Sequence, residues 1–139
     1  MARDPLAVLW RLRDAAVTEA SAALAAARVS ARQLHERLEA QNAQTRQEQS
    51  LTGCMDGAAF SAWLPQARKH AASIQKQLSS EEARVLRLLQ ALTERRTEAE
   101  AVAKALERQR AARGALAARH EQQAMDEAAG NSHRGNNIR

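Results

Sequence analysis

Large side chains are scarce in this sequence. Its 139 residues include a single Phe, two Trp and no Tyr. The aromatic groups that dominate an ordinary core are therefore nearly missing. That shortage excludes a thick globular core but leaves room for a narrow seam of Ala and Leu between helices. Proline occurs only at Pro5 and Pro65, so little interrupts a helix over long stretches. One cysteine, Cys54, excludes an internal disulfide and fits a reducing compartment. No apolar run approaches the ~20 residues needed to span a bilayer. The opening Met1-Ala2-Arg3-Asp4-Pro5 leads into a helix with Arg11 and Arg13 and no apolar h-region follows. No signal peptide is expected, and the expected location is the cytoplasm.

Chemistry-bearing residues are equally sparse. His35, His70, His120 and His133 lie far apart with no second His or Cys at ligand spacing, which argues against a metal. Cys54 has no histidine near it in sequence, and no Gly-rich phosphate loop is present. Glu81-Glu82 has Arg84 and Arg87 close by, the spacing of surface pairing on a helix. A two-helix rod also lacks the concave site that catalysis requires. Neither an enzyme nor a cofactor is expected.

What is abundant is Ala, Leu, Arg, Gln and Glu, the strong helix formers. The net charge is +5, but both signs are interspersed. Residues 1–50 and 51–100 each carry seven basic and six acidic residues, and the last third carries seven against four. Arg108, Arg110, Arg113 and Arg119 form a modest basic cluster, diluted by Glu107 and Glu121 and without interleaved aromatics. Specific nucleic-acid binding is therefore not expected.

The organisation reads as two helices. Asp4-Pro5 is a helix start, a capping acid followed by Pro at the first helical position. Val17, Leu24, Ala31, Leu38 and Thr45 then form one row of a seven-residue repeat, and Ala20, Ala27, Leu34 and Gln41 form its companion. Glycines and an Asp across Leu51-Thr52-Gly53-Cys54-Met55-Asp56-Gly57 are turn chemistry, with Asp56 as a cap. The second helix carries the rows Leu64, Ala71, Leu78, Val85, Leu92, Ala99, Leu106 and Phe60, Ala67, Ile74, Glu81, Leu88, Arg95, Val102. Pro65 predicts a kink near Leu64. The fold class is thus all-α, a long two-helix antiparallel coiled-coil hairpin with a C-terminal helical overhang. Its expected bounds are helix one about 5–50, turn about 51–56 and helix two about 57–129. The coiled coil then occupies 1–130 and a disordered tail 131–139.

A turn centred near Cys54 places Leu6 opposite about Ala101. About 25 residues of helix two then lack a partner, an overhang of roughly 35–40 Å. Leu106, Leu116 and Met125 are expected there, uncovered by helix one. Bare apolar residues point to a partner surface, a fold-back or a self-dimer. A second unusual spot is Phe60, Trp63 and Leu64. The facing stretch of helix one (Gln41, Gln44, Gln47, Glu48) offers little to cover them, and Trp anchors are enriched at binding hot spots.

At this level of detail the chain resembles the flagellar FliJ family. The resemblance is carried by the opening Pro5-Leu6-Ala7-Val8-Leu9-Trp10-Arg11-Leu12-Arg13, by Phe60-Ser61-Ala62-Trp63-Leu64 with Ala67 and Ala71, and by the ending Glu121-Gln122-Gln123-Ala124-Met125-Asp126-Glu127-Ala128-Ala129. Length and the single central break also fit.

The resemblance implies a soluble stalk and regulatory component of the flagellar type III protein export apparatus, related to the stalk proteins of injection-type secretion systems. Its partners would be the export ATPase hexamer, the export-gate membrane protein FlhA and export chaperones. It would stimulate the ATPase ring it enters, and would sit peripherally at the inner-membrane export apparatus as a component of motility and chemotaxis, monomeric when alone.

The resemblance also implies a gate-binding patch at Phe60, Trp63, Leu64, Ala67 and Ala71. The ATPase-facing ends would be Leu6, Leu9, Trp10, Arg13, Leu106, Arg113, Leu116, Met125, Asp126 and Glu127. In the helix-one half of the gate strip, Arg37, Gln41, Gln44 and Glu48 are polar where the family has bulky side chains. The alternative reading is a generic coiled-coil adaptor or spacer with no ATPase partner.

Overall fold

In a computed structural model, which describes residues 4–52 and 57–137, the chain consists of two helices, α1 (Pro5–Thr52) and α2 (Gly57–Asn137). No strand occurs among the described residues. The start of α1 follows from Asp4. Its Oδ1 accepts a hydrogen bond from the Leu6 N–H at 3.1 Å, and its carbonyl accepts the first helical bond, from the Val8 N–H at 3.1 Å. Pro5 occupies the first helical position, where a missing N–H removes no bond. Leu51 and Thr52 continue α1, and residues 53–56, with Cys54 and the Asp56 cap, lie outside the described residues.

α2 runs unbroken past Pro65. Its end is later than the sequence indicates. Residues 131–137 are helical rather than a loose tail, because extending an existing helix adds one backbone bond per residue fixed and no proline opposes it. Gly114, Gly130 and Gly135 are all helical.

The seam lies where the two seven-residue rows place it. The buried side chains are Leu24, Ala27, Ala67, Ile74, Leu78, Leu92 and Leu106, each a row position. Every other row member is half-buried except Arg95, which is exposed. A guanidinium keeps its charge in water by reaching outward along its stem. Among the described residues no polar side chain is buried as a whole.

The chain packs as two units, Met1–Asp14 with Thr97–Arg139 and Ala15–Arg96. Within the second, Arg28 and Ala31 line one cleft with Glu82, Val85 and Leu86. Leu34 and Arg37 line another with Lys76, Gln77 and Glu81. Rising numbers on α1 meet falling numbers on α2, so the segments are antiparallel. The first unit has the same sense, with Asp4 against Arg113 and Arg13 against Glu98.

This register differs from the one that puts Leu6 opposite Ala101. Arg113 leans back toward the N-terminus of α2, as helical side chains do. The start of α1 meets α2 further along, at Gln109 and Arg113.

Candidate functional site

Among the described residues no group of His, Cys, Asp and Glu is placed to hold a metal ion. Three open grooves are lined from both helices, and another is lined by α1 residues alone, among them Glu36, Ala40 and Arg46. The seam leaves several large side chains available to a partner.

In the Ala15–Arg96 unit, Phe60, Trp63 and Leu64 are half-buried at the start of α2. The Phe60 and Trp63 rings pack with centroids 5.9 Å apart, tilted by 38°. One turn of helix separates them, so a single rotamer choice at each brings the rings together. Ala67 is buried and Ala71 half-buried. Ala67 is thus floor rather than contact, and the surface that α2 offers here is the aromatic pair with Leu64. On α1, Gln41 and Thr45 are half-buried, and the Thr45 hydroxyl donates to the Gln41 carbonyl at 3.0 Å. A polar seam of this kind holds the helices weakly and leaves the aromatic pair as the main apolar group nearby.

Glu81 is the one acid in the rows. Its Oε1 lies 3.7 Å from Arg84, while its Oε2 is buried without a hydrogen-bond partner. A seam carboxylate in this state destabilises the pairing locally. The other intrahelical pairs, His35–Glu39 at 3.1 Å and Lys104–Glu100 at 3.6 Å, are exposed and contribute little.

In the other unit, Leu6 is half-buried, and Leu9 and Trp10 are exposed at 38% and 37%. The Arg13 guanidinium donates to Glu98 at 3.0 Å. Leu106 is not bare, contrary to the sequence expectation. It is 5% exposed, and Trp10 lines one cleft with Ala103, Leu106, Glu107 and Arg110. The register explains the difference, since the start of α1 reaches further along α2 than a turn at Cys54 allows.

Arg113 is likewise engaged, 3.7 Å from Asp4 Oδ2. The Gln109 carboxamide bridges the pair, donating to Asp4 at 3.2 Å and accepting from Arg113 at 2.9 Å in the orientation that satisfies both.

Beyond this cluster the covering stops. Every residue of α2 from Arg110 to Asn136 is exposed, including Leu116 at 55% and Met125 at 57%. Asp126 and Glu127 are exposed too, and Asp126 accepts from Gln122 Nε2 at 3.1 Å. From Gly114 on, the stretch is one bare helix of roughly 35 Å at 1.5 Å per residue.

The family model of the flagellar FliJ protein matches residues 1–137. The chain belongs to the flagellar FliJ family. As a FliJ family member it is a flagellar, export-related protein. No curated protein and no solved structure matches the chain. No helix among the described residues is long and apolar enough to cross a membrane.

Several exposed apolar residues escape a reading by rows alone. Val8 and Leu12 are exposed beside Leu9 and Trp10, so the first turns of α1 are apolar on nearly every side. Leu86 at 68% and Leu89 at 40% are exposed on the other unit. The signal was present, because large apolar residues off the two rows must face away from the seam.

Proposed function

We propose that this FliJ family member is a stalk and regulatory component of the flagellar export apparatus, whose free α2 helix enters and stimulates the ring of the export ATPase. The observation that carries the reading is the uncovered helix from Gly114 to Asn136. A helix continued this far past its partner has no folding role within the chain, since its apolar side chains bury nothing there. A ring lumen is a surface that a single narrow helix fits. The apolar start of α1, with Leu9 and Trp10, supplies the adjoining contact.

The half-buried Phe60, Trp63 and Leu64 would dock on the gate protein FlhA from the α2 side alone, because the facing α1 residues are polar. Export chaperones would be further partners. The protein would act at the inner-membrane export apparatus without hydrolysing ATP itself.

The test is ATP hydrolysis by a purified flagellar export ATPase with and without the full chain. Stimulation by the full chain, lost in Leu116→Asp/Met125→Asp, is the expected result. Both positions are exposed, so the substitutions leave the paired helices intact. Full stimulation by that variant would remove the reading.

A further inference from the structure

We propose that the chain carries a docking surface for an acidic amphipathic helix, formed by Leu86 and Leu89 of α2 between unpaired arginines. The surface lies within the Ala15–Arg96 unit and is separate from the regions assigned above to the ATPase and the gate protein.

Leu86 and Leu89 are one turn apart on α2 and face outward beside the seam. Leu86 forms one wall of an apolar groove whose floor is Ala31 and Val85, with Arg28 and Glu82 at its rim. Arg32 follows Arg28 by one turn of α1, and Arg96 follows Leu89 by two turns of α2, so both extend the same side. Neither Arg28, Arg32 nor Arg96 has an ion pair among the described residues, and all three are exposed.

The charge around the two leucines selects the occupant. Arg28, Arg32 and Arg96 outnumber Glu82, the one acid that lines the groove, and Arg heads favour carboxylates over other partners. A helix with an apolar stripe and flanking Glu or Asp would cover Leu86 and Leu89 and pair with the rim, the helix-in-groove mode. A second copy of this chain fits less well, because it would bring the arginine rims together.

The experiment uses the full chain and a dye-labelled synthetic helix of about three heptads, with a leucine stripe flanked by glutamates. A matched peptide flanked by lysines is the comparison. Fluorescence anisotropy should show saturable binding of the glutamate peptide that weakens with salt. Leu86→Ser/Leu89→Ser should weaken it about tenfold or more, with the helical circular dichroism unchanged because both positions are exposed. Arg28→Gln/Arg32→Gln should weaken it as well, and Leu116→Ser should leave it unchanged.

The proposal is overturned by any of several results. They are equal binding of the lysine peptide, indifference to Leu86→Ser/Leu89→Ser, loss of binding in Leu116→Ser, or no saturable binding at all. Concentration-dependent dimerisation of the chain that Leu86→Ser abolishes would assign the surface to a second copy and overturn it too.

Discussion

Asp4 and Arg113 meet across the two helices, carboxylate to guanidinium at 3.7 Å, and Gln109 bridges them. The same carboxylate caps α1 through the Leu6 N–H. One side chain thus starts a helix and fixes where its partner helix ceases to be covered.

The two roles of Asp4 are separable by substitution. Asp4→Ala removes the cap and should destabilise the start of α1 by about 1 kcal/mol. Asp4→Asn keeps a capping oxygen and loses the ion pair, whose Arg113 side is 66% exposed, together with the hydrogen bond from Gln109, so it should leave the cap itself in place. Hydrogen exchange of the amides from Leu6 to Trp10 reads the difference. Equal protection in both variants would show that the cap does not hold this end.

Leu106 and Leu116 should respond in opposite ways to truncation. Leu106 is 5% exposed and Leu116 55%. Leu106→Ala should lower stability by about 2–3 kcal/mol through lost burial and an incompletely filled gap. Leu116→Ala should change it by less than about 0.5 kcal/mol. Denaturant unfolding of each variant checks this. Similar losses at both positions would mean that the free helix is covered in solution.

The free helix should be easy to strengthen. A Cβ added at Gly114 or Gly130 meets nothing within 4 Å. Each Gly→Ala change should therefore favour the helix by about 1 kcal/mol. Circular dichroism during heating should show the gain as delayed loss of helix. No change in either variant would mean that helix propensity does not limit this segment.

Glu81 predicts a gain from removing charge. Its Oε2 is buried and unpartnered at a seam position. Glu81→Leu should raise the melting temperature, because an apolar side chain there restores the row between Ile74 and Leu88. A melting temperature at or below that of the parent would show that the carboxylate is satisfied in solution.

The seam was legible because period and burial are the same information in a coiled coil. Leu24, Ile74, Leu78 and Leu92 are buried where the repeat puts them. The Asp4 cap was legible because an acid before a proline has few other uses at that spacing. The cover over Leu106 was not, since register depends on where a link is centred and on how far Asp4, Gln109 and Arg113 reach. A few residues of offset moved that leucine from bare to buried. The end of α2 was misread because Gly130 weakens a helix without stopping it. Phe60 and Trp63 stood out by size alone. Leu86 and Leu89 lie off both rows, so the seven-residue repeat does not mark them.

The central claim is that the uncovered part of α2 is the surface that meets the ATPase. A photo-reactive amino acid placed at position 116 or 125, irradiated with the assembled export ATPase ring, tests it most directly. Covalent capture of the ATPase from both positions, and none from position 86, is the predicted result. No capture from 116 or 125, with efficient capture from 86, would contradict the account.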